Sequence, residues 1–128
     1  MLGALAKVSI SIDVPSLERA KSFYCSALDC SVIKDSTKGM CILDAGNVQI
    51  YLLEKHEASN PIADHPTPRT YQRHWTPVHL DFGVTDTELA TEKVISCGGT
   101  CEGHDKGDWG SISYCADPFG NGFCLIRE

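Results

Sequence analysis

The chain has 128 residues, with 17 acidic against 11 basic side chains and a net charge of −6. That length makes about one domain able to bury its own core, and the charge opposes nucleic-acid binding through phosphate contacts. No apolar run reaches the roughly 20 residues a bilayer requires, and the opening residues pass from a short apolar stretch straight into a strand pattern rather than a secretory leader, so a cytoplasmic protein without membrane or nucleic-acid partners is expected.

The first predicted element is a half-buried strand, in which Val8, Ile10, Ile12 and Val14 alternate with Ser9, Ser11 and Asp13. Pro15-Ser16 opens a helix whose apolar stripe is Leu17, Ala20, Tyr24, Ala27 and Leu28. Strands are predicted near Ser31–Ser36, Met40–Asp44 and Val48–Leu53, with a turn at Ala45-Gly46-Asn47. From Lys55 to Pro77 the chain has four prolines and no periodicity. A loop of that length in a compact domain is functional or unstructured. It carries Arg69, Tyr71, Arg73, His74 and Trp75 close together, which suits a pocket lid offering aromatic area and a cation, a plain surface crossing, or a subunit contact.

The next strand places Val78, Leu80, Phe82 and Val84 on one face and His79, Asp81 and Gly83 on the other. Thr85 and Glu88 have capping-box spacing for a second helix with Ala90, Val94 and Cys97 along one side, ended by Gly98-Gly99. Strands follow near Thr100–His104, Ser111–Cys115 and Phe123–Arg127, and Asp117-Pro118-Phe119-Gly120 is a turn. Trp109 stands on a glycine-flanked turn of its own. The seven cysteines are odd in number and none has C-x-x-C spacing, which opposes a zinc ribbon or disulfide framework and makes them reduced, mostly space-filling thiols.

The two halves repeat. Val8 falls on Val78, Val14 on Val84, Glu18 on Glu88, Ala20 on Ala90 and Ser26 on Ser96. The reading is α+β: one domain of two βαβββ modules, residues 5–54 and 77–128, joined by the linker 55–76. Two such sheets side by side form a half-open curled sheet with the helices outside and a cavity inside. His79 and Asp81 then point into the cavity.

The stretches VPSLERAKSFYCSALDCSV, PVHLDFGVTDTELATEKVISCGGT and ADPFGNGFCLIRE together resemble the vicinal oxygen chelate superfamily, the glyoxalase/bleomycin-resistance/dioxygenase group, in its small glyoxalase-like branch. The resemblance implies that fold and a homodimer. It leaves the chemistry open among lyases, isomerases, dioxygenases, thiol transferases and drug-binding proteins. In metal-dependent members the first and last strands of each module each give one ligand, usually His, Glu or Gln. Carried over here, His79 is the only match. Ser9 stands at the corresponding first-strand position of module one. Cys124 and Tyr51 stand at the last-strand positions, with Ile50 a one-residue shift from Tyr51 and Gln49 on the same face as Tyr51. A catalytic divalent ion needs about three protein ligands and an open position. No cofactor is therefore expected, a divalent metal at His79 being the alternative.

The cavity floor is expected to hold Ser9, Ser11, Asp13, Gln49, Tyr51, His79, Asp81 and Cys124. His79 is the candidate general acid or base with Asp81 orienting it, or else a plain hydrogen-bonding group. Cys124 is either a nucleophile, if a neighbour lowers its pKa, or a filler. Ser9, Ser11, Gln49, Tyr51, Tyr71, Arg73, Trp75, Trp109 and Cys124 are the expected ligand contacts. These residues point to a protein that binds a small organic molecule, with a lyase or isomerase working through His79 as the alternative. A vestigial cavity serving only protein interaction is opposed by the polar lining, since an abandoned hollow fills with apolar groups.

Overall fold

The computed structural model describes residues 7–36 and 38–128; residues 5 and 6, where the first module was expected to begin, lie outside that range. Strand β1 (Ser9–Val14) leads into helix α1 (Leu17–Leu28), then β2 (Ser31–Ser36), β3 (Met40–Asp44) and β4 (Gln49–Glu54). Ser16 caps α1, its hydroxyl accepting from the Arg19 amide at 3.4 Å, and Glu54 accepts from the Leu17 amide at 2.8 Å, so two of the helix's orphan donors are satisfied. The helix stops at Asp29, whose φ of 55° is left-handed. Leu17, Ala20, Phe23, Tyr24 and Ala27 form its buried stripe, over Cys41, Leu43, Ile50 and Leu52 of the sheet.

The second module repeats this order: β5 (Leu80–Gly83), α2 (Thr87–Ser96), β6 (Thr100–Gly107), β7 (Gly110–Ala116) and β8 (Gly122–Arg127). The sheets run β1-β4-β3-β2 and β5-β8-β7-β6. In each, the first strand is parallel to the last and the other pairs are antiparallel. The doubled βαβββ unit read from the sequence is therefore the architecture, and β1 and β5 are each hydrogen-bonded along one side only.

The modules meet through apolar rings and one buried carboxylate. Phe123 packs 6.2 Å from Phe23 and 5.6 Å from Phe82, centroid to centroid. Asp117, 2 % exposed, accepts from the Tyr24 hydroxyl at 2.7 Å, the Phe119 and Asn121 amides at 2.9 Å each, and Asn121 Nδ2 at 2.9 Å. Asn121 Nδ2 also donates to the Asp13 carbonyl at 3.2 Å. The turn predicted at Asp117–Gly120 closes with Gly120 N donating to Asp117 O at 3.2 Å, so a turn residue of module two holds the helix of module one.

Several boundaries differ from the sequence reading. The cap of α2 is Asp86, accepting from the Leu89 amide at 3.0 Å, and not Thr85, because its carboxylate sits one residue nearer the helix start and favours the positive end of the dipole. The buried face of α2 is Thr87, Thr91 and Val94, while Ala90 and Cys97 are only half-buried. The two threonines go inward because β7 offers hydroxyls beneath them: Thr87 Oγ1 lies 2.8 Å from Ser111 Oγ, and Thr91 Oγ1 2.8 Å from Ser113 Oγ. Strands β6 and β7 are longer than predicted and close as a hairpin around Asp108 and Trp109.

Candidate functional site

The register of module two decides where its polar side chains go. Asp81 is paired with Cys124, and Cys124 with Tyr114, so these three share the face turned away from α2. His79 lies one residue before β5 and joins them: its Nε2 is 3.2 Å from Asp81 Oδ1. The imidazole, carboxylate and thiol each present an atom within 4.8 Å of the others. The same register in module one pairs Ser11 with Tyr51, so Tyr51, and not its neighbour Ile50, corresponds to Cys124.

With Asp81 Oδ1 at 3.2 Å from Nε2, the neutral imidazole that suits the carboxylate has its proton on Nε2 and its lone pair on Nδ1. That Nδ1 is buried and has no hydrogen-bond partner among the described residues. Over the ring lies the Trp75 indole, 5.2 Å away by centroids and tilted 50°. Trp75 itself is 63 % exposed. The arrangement is an unsatisfied acceptor under an exposed aromatic cover.

Cys124 is 2 % exposed. Its burial, and after that the charge and hydrogen bond of Asp81, push its thiol above the usual value. Of the two roles open to it, nucleophile and filler, this environment opposes the first, because a protonated thiol is a poor nucleophile.

The linker is pinned at both ends of its aromatic cluster. Arg69 Nε donates to Asp13 Oδ2 at 2.7 Å on sheet one. Arg73 makes a two-pronged pair with Glu102, Nε to Oε2 at 2.7 Å and Nη2 to Oε1 at 2.8 Å, on sheet two. The Tyr71 hydroxyl donates to the Lys55 carbonyl at 2.8 Å. The guanidinium lies flat on Gly122, where a Cβ would sit 2.7 Å from Nη2. Both arginines thus pair with carboxylates of the sheets while bordering open space, Arg69 on the cleft between the modules and Arg73 on the hollow beside His79.

Among the sequence-predicted residues, Arg73, Trp75, His79 and Cys124 border a hollow of about 10 Å³, room for about one water, so a larger ligand reaches His79 from the cleft described next. Ser11, Tyr71 and His79 border a cleft of about 600 Å³ between the modules. Ser9, Gln49 and Tyr51 lie together on sheet one, where Gln49 Oε1 accepts from Lys7 Nζ at 3.4 Å, and border neither space. Trp109 sits at the tip of the β6–β7 hairpin, folded back against Gly107, and is not part of the site. Sequence reasoning missed Glu102 and Tyr114. Glu102 is 29 residues from its partner, and Tyr114 becomes a neighbour of Cys124 only through the strand register.

The donor set can be compared with the metal that the resemblance implies. A two-module set needs an imidazole or carboxylate from sheet one. Ser9 and Tyr51 stand there, and the remaining donors, His79, Asp81 and Cys124, all come from sheet two and include a buried thiol. These residues do not fit the two-module set, and the thiol is ill-suited to hard ions such as manganese or magnesium.

A doubled βαβββ unit with a polar cluster on the face of its second sheet turned away from α2 defines the class. The model of the glyoxalase-like domain family matches residues 9–126, so the chain belongs to the glyoxalase-like family of the vicinal oxygen chelate superfamily. Its fold is similar to that of the fosfomycin resistance protein FosX from Listeria monocytogenes, with a TM-score of 0.74 and 17 % identity over 100 % of this chain and 95 % of that one. It is also similar to lactoylglutathione lyase from Agrobacterium tumefaciens, with a TM-score of 0.66 and 17 % identity over 96 % and 93 %. A glyoxalase-related enzyme from Fulvimarina pelagi gives 0.73 and 17 % over 97 % and 89 %. At such identities the likeness shows the fold alone. No curated protein sequence matches the chain. No helix among the described residues is long and apolar enough to cross a membrane.

Proposed function

We propose that the chain binds a small organic molecule at His79, Asp81 and Trp75 without a resident metal, and that this molecule is uncharged or cationic and carries an O–H or N–H donor. The observation that carries this reading is the buried, unpartnered Nδ1 of His79 beneath an exposed tryptophan. A buried acceptor left unpaired costs about 1–3 kcal/mol, which a ligand donor recovers on binding. The charge of the ligand follows from Asp81, since the Arg73 guanidinium is already taken up by Glu102. A variant of Listeria FosX is complexed with Mn(II) and dihydroxypropylphosphonic acid; around His79, among the described residues, both nearby guanidiniums are paired with carboxylates and no two-module metal set supports such an anion.

The test is quenching of tryptophan fluorescence by a panel of bleomycin, fosfomycin and the hemithioacetal of methylglyoxal with glutathione. Bleomycin is expected to act at lower concentration than fosfomycin. His79→Ala should weaken binding about tenfold, the equivalent of roughly 1.4 kcal/mol, and Trp75→Phe should remove the signal. Saturable binding of fosfomycin alone would overturn the reading.

The His79–Asp81 pair favours a second reading. An imidazole held by a carboxylate with its other nitrogen free is arranged to move a proton, as a glyoxalase-like lyase or isomerase requires. Turnover of the hemithioacetal, lost in His79→Ala, would establish it. We also propose a homodimer, because among the described residues β1 and β5 each pair along one edge only, and Val8, just before β1, and Val78, two residues before β5, are 75 % and 86 % exposed. Sedimentation at micromolar concentration should give twice the chain mass.

A further inference from the structure

Beneath α2, on the face of sheet two opposite the proposed ligand site, β6 and β7 carry a second cluster of reactive groups. Residues three apart on a regular strand point to opposite faces. The register of β6 against β7 shifts between Cys101 and Gly103, and this bulge turns Cys101 and His104 toward the same side. His104 Nε2 lies 3.6 Å from Cys101 Sγ, and His104 Nδ1 lies 3.1 Å from Ser113 Oγ.

Thr91 Oγ1 is directed at both the Thr87 carbonyl, 2.6 Å away, and Ser113 Oγ, 2.8 Å away, and so holds the Ser113 hydroxyl in place. Ser113 Oγ in turn meets His104 Nδ1 at 3.1 Å. In the tautomer whose Nδ1–H donates to Ser113 Oγ, the lone pair of the neutral ring is on Nε2, facing the thiol. Ser113 is 1 % and Thr91 5 % exposed, so water does not compete for these bonds. Cys101 is half-buried, and His104 borders a cleft of about 670 Å³ together with Thr87, Lys106 and Ser111.

We propose that Cys101 is a nucleophilic thiol with His104 as its base and Ser113 as the residue that positions the imidazole, and that it takes small organic disulfides. In the step, the Cys101 thiol, which also donates to the Gly103 carbonyl at 3.6 Å, gives its proton to His104 Nε2 and bonds one sulfur of the disulfide. The S–S bond breaks, and the departing thiolate takes the proton from the imidazolium, leaving a mixed disulfide on Cys101 and one free thiol. This site lies on the other face of the sheet from His79 and stands whether or not an organic ligand binds there.

Dithiodipyridine, an uncharged disulfide whose released thione absorbs light, tests this on the whole chain, with mass spectrometry locating each modified cysteine. Cys25 and Cys97, also half-buried, are the internal standards. Cys101 is expected to react first, at least about tenfold faster than either, a modest share of what a positioned base supplies. His104→Gln and Ser113→Ala should each slow Cys101 and leave Cys25 and Cys97 unchanged. Retained rates at those two also show that the variants are folded, since an unfolded chain exposes all seven thiols alike. Equal rates at Cys101, Cys25 and Cys97 in the parent chain, or an unchanged Cys101 rate in either variant, would overturn the proposal.

Discussion

Replacing Asp117 by alanine removes one acceptor from four donors at once. Two of these are amides of its own turn, one is Asn121 Nδ2, and one is the Tyr24 hydroxyl on a residue 1 % exposed. Hydrogen bonds to a charged group contribute about 1.5–3 kcal/mol each. They do not add, and Asn121, which is only partly buried, regains water. The hydroxyl of Tyr24 and the Phe119 amide have no such recourse, which sets the loss at about 3–5 kcal/mol. Tyr24→Phe removes one donor, leaves the carboxylate the other three, and should cost about 1–2 kcal/mol. With a urea slope of about 2 kcal/mol per molar for a chain of this size, the alanine variant should unfold about 2 M earlier than the parent. The double variant should show a coupling of at least about 1 kcal/mol between the two positions. A loss below about 1 kcal/mol for Asp117→Ala, with the slope unchanged, would refute the view that this turn joins the modules.

Other outcomes follow from the same contacts. Gly122→Ala drives a methyl into the Arg73 guanidinium, and limited proteolysis should then cut the linker faster than in the parent; an unchanged rate would mean that the Arg73–Glu102 pair does not hold it. Burial raises the thiols of Cys30 to about 11 and Cys115 to about 12 from the usual 9.0. The unfolded chain therefore loses these protons first, so stability is complete below about pH 9 and declines between there and about pH 11–12. The urea midpoint should be flat near neutrality and fall above pH 9, and a flat midpoint throughout would contradict the burial of these thiols. Elemental analysis of protein purified without chelator should find well under one manganese per chain. A stoichiometric ion, lost in His79→Ala, would overturn the metal-free reading.

The sequence made some of this visible and hid the rest for physical reasons. Period-two alternation separated His79 and Asp81 from Leu80 and Phe82, although Val78, expected on the same apolar face, is 86 % exposed; the family resemblance put Cys124 at the last-strand position, which pairs with Asp81. The first inference rests on neighbours one or two residues apart, where strand geometry leaves little choice. Ser9, Gln49 and Tyr51 were assigned to faces by the same rule and do share one. Which space they border depends on how two sheets pack, and no local pattern encodes that. The polar layer under α2 escaped for a different reason. A hydrophobic stripe was sought, and Thr87 and Thr91 count as polar until Ser111 and Ser113 supply partners from 24 and 22 residues away. The bulge that aligns Cys101 with His104 breaks the alternation that strand reading relies on. Arg69 and Arg73 looked like cations awaiting a ligand because Asp13 and Glu102 lie 56 and 29 residues distant.

Nitrogen NMR of the chain labelled at histidine addresses the central claim most directly. Above the imidazole titration range, His79 should show its proton on Nε2 and a bare Nδ1, and bleomycin should move the Nδ1 resonance in step with the quenching of Trp75. A proton found on Nδ1, or bleomycin binding that leaves both His79 nitrogens unmoved, would contradict the account.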